Sequence, residues 1–206
     1  MKDPKRTLIY IPVIHTQADM GGLSDALQRA TLRKFGQKSL KRKIYLINKM
    51  WTEIEQTIEG LDLRYEKVRL YQDGLPVCGR EEEIVRDLTR AGSRNHRLLL
   101  RLMERGATIM GTESSELLVE EYGLIKQWMT VEDIRQGHEI EAHRKALADA
   151  LIRKRDRYIA DRIDQTLQIG ETGILFLGML HALENQLHKD IRVIYPVNRP
   201  LYHEEK

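Results

Sequence analysis

The chain has 206 residues, 41% of them hydrophobic and 32% charged, which is enough for one sizeable core and too apolar for a disordered chain. Its net charge is +3, from 34 basic and 31 acidic residues mixed along most segments, which argues against nucleic acid or a membrane surface as the main partner. A single cysteine, Cys78, excludes an intrachain disulfide and a thiolate metal cluster.

The first strand is expected over residues 7–14, an almost unbroken apolar run of the kind covered on both faces of a sheet. The run is too short for a signal peptide, and no later segment is long enough to span a bilayer, so the expected compartment is the cytoplasm. A loop, 17–22, leads to a helix over 23–35 closed by Gly36, and a second helix is expected over 40–59. The basic stretch 38–43 reads as a solvated helix face. A second strand, 65–72, precedes the turn Asp73-Gly74-Leu75-Pro76. Helices follow over 79–90 and 95–104, then a third strand over 107–112 and a helix over 116–129 with Ser114 as N-cap. The long helix 140–167 stops before Gly170, and the fourth strand follows at 174–180. A helix over 181–189 and a last strand over 191–195 complete the chain. Strands alternating with helices define an α/β fold. It has a mostly parallel central sheet of four to five strands and helices on both faces. Residues 1–206 form one domain, with 1–6 and 197–206 as expected tails.

Four apolar runs stop on ionisable or amide residues: 8–14 at His15, 68–71 at Gln72-Asp73, 107–112 at Glu113 and 174–180 at His181. In a parallel sheet these ends share the edge where open α/β sheets bind ligands. Thr16 extends the polar loop after His15. Gly178 closes the fourth strand, and His181 would open the next helix, whose dipole favours a neutral imidazole able to act as base or metal ligand. An exposed helix-start histidine is the competing reading. Asp73-Gly74 is also a common turn dipeptide, so for Asp73 both readings stay open. A capping motif accounts for Ser114 and Glu116, whereas Glu113 lies before the helix on the functional edge.

In the long helix, Leu147, Leu151, Ile152, Tyr158, Ile159 and Ile163 share one face. Arg155 projects near its middle, where a guanidinium needs a carboxylate or a substrate anion; Arg162 is expected to snorkel. His138 and His143 are five residues apart, about 500° of helix rotation, so they do not form a zincin pair. No nucleotide-binding glycine loop or serine-nucleophile elbow is present, and Cys78 reads as an inert thiol.

Arg155-Asp156, Ile159-Ala160, Ile163, Leu167, Gly170-Glu171 and the run 174–181 ending in Gly178-Met179-Leu180-His181 form one block. It resembles the C-terminal signature of the erythromycin esterase / ChaN / TraB / TIKI superfamily. In that comparison His181 matches the histidine of the Gly-x-x-His motif and Arg155 the helix arginine. His15 corresponds to the N-terminal histidine and Glu113 to an acidic site residue. Asp156 stands where asparagine is more usual, and Val13-Ile14-His15 lacks the usual glycine and glutamate. Members include antibiotic esterases, a haem-associated lipoprotein, pheromone-shutdown proteins and metal-dependent peptidases.

The resemblance implies a hydrolase acting on a small molecule or peptide. His15 or His181 would activate water. Glu113 would orient that base, or hold Mn²⁺ or Zn²⁺ together with His15 and His181. Arg155 would stabilise an oxyanion or pair with Glu113, with Thr16, Gln72, Asp73 and Gly178 in support. The alternative is a non-catalytic protein that keeps the pocket for a small molecule or partner. A third reading is an assembly component docking through the charged helices 38–59 and 139–162, and a homo-oligomer is left open.

Overall fold

The structure is a computed structural model and describes residues 5–14, 24–130 and 138–197. Five strands, β1 (Arg6–Val13), β2 (Val68–Gln72), β3 (Thr108–Met110), β4 (Thr172–Gly178) and β5 (Ile191–Ile194), form one sheet in the order β3-β2-β4-β1-β5. Every pairing is parallel, with Thr7 opposite Thr172, Val13 opposite Gly178, and Gln72 opposite Phe176. All C-terminal strand ends therefore point to one edge.

Five helices join the strands: α1 (Ser24–Glu59), α2 (Glu81–Arg90), α3 (Arg94–Glu104), α4 (Ser115–Thr130) and α5 (His138–Thr166). The period of two along a strand splits the core into two layers. Ile9, Ile11, Ile174 and Phe176 pack with Trp51 and Ile54 of α1 and with Leu98 and Leu99 of α3. Leu8, Tyr10, Leu175 and Leu177 pack on the other side with Ile159 and Ile163 of α5. This two-sided burial is why β1 and β4 read as continuous apolar runs rather than alternating ones. Among the described residues no helix is long and apolar enough to cross a membrane.

The expected strand 65–72 starts only at Val68, after a 3-10 turn over Tyr65–Lys67, β4 ends at Gly178 rather than at 180, and two expected helices are wrong. The helix does not end at Gly36: α1 runs through it without a break. A glycine inside a helix costs about 1 kcal/mol, which good helix formers on either side can outweigh. The expected helix 181–189 is absent, and the chain from Met179 to Asp190 is a series of turns. The reason is local. The His181 N–H bonds back to the Gly178 carbonyl, and the Gln186 and Leu187 N–H groups both return to the Leu183 carbonyl, a single turn that does not propagate.

Candidate functional site

The site begins where β2 ends. Gly74 takes φ +77°, a left-handed turn suited to glycine, so the chain reverses directly after Asp73. The returning segment is strapped to the end of β3: the Thr112 and Glu113 N–H groups both donate to the Leu75 carbonyl, at 2.9 and 3.0 Å. Gly111 allows this close approach, because a Cβ there would lie 2.7 Å from the Cα of Val77. Asp73 and Glu113 are thereby held side by side under α5.

Arg155 meets them from α5. Its Nε donates to Glu113 Oε2 at 3.0 Å, and its Nη2 donates to Glu113 Oε1 at 2.6 Å and Asp73 Oδ1 at 2.7 Å. Nη1 donates to Glu121 of α4 at 2.6 Å. The Glu113 side chain is 0% exposed, whereas that of Glu121 is 33% exposed. Burial opposes the Arg155 charge, but Glu113, Asp73 and Glu121 outweigh it, so the guanidinium is held more firmly protonated than usual. Burial pushes the Glu113 carboxyl up, against the pull of Arg155 and with added repulsion from Asp73.

Asp73 links this half of the site to the histidine. Its Oδ2 accepts from the Gly178 N–H at 2.9 Å and lies 3.7 Å from His181 Nε2. The other ring nitrogen, Nδ1, is 2.5 Å from Asp156 Oδ1, and the second Asp156 oxygen accepts from the Ala182 N–H at 3.1 Å. The expectation that a helix dipole makes His181 more neutral is therefore overturned. Burial does oppose its charge, but the hydrogen bond that Nδ1 donates to Asp156 and the field of Asp73 prevail and raise its pKa. Four carboxyl groups thus surround one guanidinium and one imidazole: burial first of all raises Glu113, whereas Asp156 and Asp73 raise His181 against burial.

Glu113, Arg155, Asp73, Gly178 and His181 are thus brought into one network. Gln72 lies beside it and not in it: its side chain pairs with buried Asn95 of α3 at 2.8 Å and donates to the Asp73 carbonyl at 3.0 Å. His15 and Thr16 lie outside the described residues; Val13, level with Gly178, ends the strand that leads to them. Asp156, noted in the sequence only as standing in place of asparagine, is the site residue to which sequence reasoning gave no role. Its signal was present, since Ile152, Asp156, Ile159 and Ile163 fall at i, i+4, i+7 and i+11, one stripe of α5 with a carboxylate inside it.

A metal held by Glu113 and His181 does not fit these residues. Both Glu113 oxygens already accept from Arg155, so a guanidinium stands where the ion would bind. Among the described residues the one trio with ligand atoms within 4.8 Å of one another lies elsewhere, at Asp164, His188 and Asp190. There too a cation is in place. Arg6 donates to Asp164 Oδ1 at 2.6 Å and to both oxygens of Asp190, at 2.6 and 3.0 Å.

Fold and site together define an α/β protein with a buried acid–base network on the C-terminal edge of a five-stranded parallel sheet. The chain matches no protein-family model, no curated protein and no solved structure.

Proposed function

We propose that the protein is a hydrolase in which His181 is the general base, and the Asp156–His181 pair is the observation that carries this reading. Asp156 fixes the ring through Nδ1, so Nε2 is left to take a proton from a water and return it to the leaving group. Asp73, 3.7 Å from Nε2, stabilises the imidazolium that forms. Arg155 is a positioning residue: bound to Glu113, Asp73 and Glu121, it locks the ends of β2 and β3 and helix α4 against α5. The resemblance of the block around Arg155 and His181 to the erythromycin esterase / ChaN / TraB / TIKI superfamily supports hydrolysis of an ester or amide in a small molecule or peptide. A cytoplasmic location agrees with the exposed free thiol of Cys78.

The test is turnover of a panel of chromogenic esters and peptides by the full chain, by His181→Ala and by Asp156→Asn. At least one substrate should be cleaved, and His181→Ala should slow it by about 10²- to 10⁴-fold while the variant remains folded at the assay temperature. No turnover of any substrate, or turnover indifferent to His181, would sink the proposal. The near-complete burial of His181 favours a second reading, a binding or regulatory protein that keeps the pocket. That reading predicts thermal stabilisation by a ligand that is recovered intact.

A further inference from the structure

We propose that the outward face of α1 binds single-stranded nucleic acid through its phosphate backbone. The balanced charge of the whole chain hides a local imbalance. From Ala26 to Thr52 there are eight lysines and arginines and no acidic residue. Eight positive charges here against a chain total of +3 leave −5 for everything else.

All of this segment belongs to α1, and the helix sorts it by face. Met50, Trp51, Ile54 and Ile58 are buried in the core. At 100° per residue, Lys38, Lys41, Arg42, Tyr45 and Lys49 fall within an arc of about 100° on the opposite side. All five are exposed, and Tyr45 is 68% exposed. Lys49 has Glu53 at 4.0 Å, while Lys38, Lys41 and Arg42 make no ion pair with any described residue. A structural surface helix would carry i,i+4 acidic partners, as α2 does with Glu82 and Arg86 at 4.0 Å.

The charge pattern selects a polyanion, and the shape selects which one. Lys38 to Lys49 spans about 16 Å of helix, a row of cations rather than a single anion pocket. Tyr45 stands among them as a stacking surface for an unpaired base. A shallow groove of about 440 Å³ continues from Tyr45 and Lys49 past Thr52 and Gln56, with Glu53 on its wall. A lipid surface fits less well. Ile44, Tyr45 and Leu46 are all exposed but successive, so they turn about 200° around the helix instead of forming one insertable face.

The experiment is fluorescence anisotropy of a mixed-sequence single strand of about 20 nucleotides with the full chain, from about 50 to about 200 mM salt. Duplex of the same sequence and phosphatidylserine vesicles serve as alternative ligands. Four cations on a single strand predict a log–log salt slope of about −3. Lys38→Glu, Lys41→Glu and Arg42→Glu together should weaken binding at least about tenfold and flatten the slope by about 0.7 per cation removed. Tyr45→Ala should weaken it by about fivefold or more. The same three reversals at exposed Lys126, Arg153 and Arg192 should change little, which separates α1 from the overall charge. No binding at low salt, equal loss from the control reversals, unchanged affinity in Tyr45→Ala, or tighter binding to duplex or vesicles would each overturn the proposal. The outcome is independent of the hydrolytic reading, because none of these side chains belongs to the His181 network.

Discussion

His181 Nδ1 lies 2.5 Å from Asp156 Oδ1, a buried contact that ties the turn after β4 to the middle of α5. The bond makes Asp156 the residue that sets both the ring's orientation and its proton affinity. Replacing it by asparagine keeps the shape and removes the charge. In Asp156→Asn the His181 pKa, followed by NMR of the ring protons, should fall below that of the parent chain. An unchanged titration would mean that Asp73 alone governs the histidine.

The same histidine gives stability a pH dependence of known sign. Its folded pKa lies above the ordinary value of 6.5, so the folded state holds the proton more tightly. The resulting stabilisation is complete below about 6.5 and is lost as pH rises through the folded value. In urea titrations the margin of the parent chain over His181→Gln should therefore be widest in mild acid and shrink on the alkaline side. A margin that widens with pH would contradict the geometry.

Arg155 holds two buried carboxylates, and its removal should be severe. Arg155→Met leaves Glu113 and Asp73 without their counter-ion, a change that costs about 3–5 kcal/mol for a buried pair. Arg155→Lys should recover only part of this, since an ammonium cannot span both Glu113 oxygens and Asp73. Chemical denaturation of the two variants measures both effects, and Glu113→Gln combined with Arg155→Met should cost less than the single losses added together.

Gly111 and Gly123 make opposite predictions for the same substitution. A Cβ at Gly111 would meet the Val77 Cα at 2.7 Å and the Pro76 carbonyl at 3.0 Å, both backbone atoms that cannot step aside. Gly111→Ala should destabilise by about 1–3 kcal/mol or more and loosen the strap beside Glu113. At Gly123, on the exposed side of α4, a Cβ meets nothing within 4 Å. Gly123→Ala should raise the melting temperature, with a gain of up to about 1 kcal/mol.

At the far end of the sheet, Arg6 binds Asp190 and Asp164, and it drives the Asp190 carboxyl down to about 2. A depressed carboxyl stabilises the fold above its unfolded pKa of about 3.9 and loses that contribution as pH falls toward 2. Arg6→Gln should abolish this part of the acid dependence. Acid unfolding curves of the two proteins should then converge at the lowest pH.

What the sequence revealed follows from how far apart the partners are along the chain. Strand ends were readable because the apolar runs of β2, β3 and β4 each switch abruptly to polar residues or glycine. That switch places Asp73, Glu113 and Gly178 on one edge from local pattern alone. Arg155 was readable for a related reason, as a charge standing in an apolar helical stripe. The helix expected at 181–189 failed because Leu183 and Leu187, four apart, imitate one while the backbone closes only a single turn there and both side chains pack into the core. The Asp156 pairing is a tertiary fact of the same kind. An aspartate in the stripe shows that a partner exists, but nothing nearby in sequence says that it is His181. The +3 net charge likewise averaged away the one-sided charge of α1.

Among the described strands β1 is the first made, yet its neighbours in the sheet are β4 and β5, the last two. During synthesis at about 5–20 residues per second, Thr7 waits roughly 8 to 33 s before its partner Thr172 has been translated. For that interval the apolar stretch from Leu8 to Val13 has no sheet to join. The nascent chain therefore carries an unpaired apolar strand through most of its synthesis, and a ribosome stalled before β4 would leave a product that cannot close its sheet.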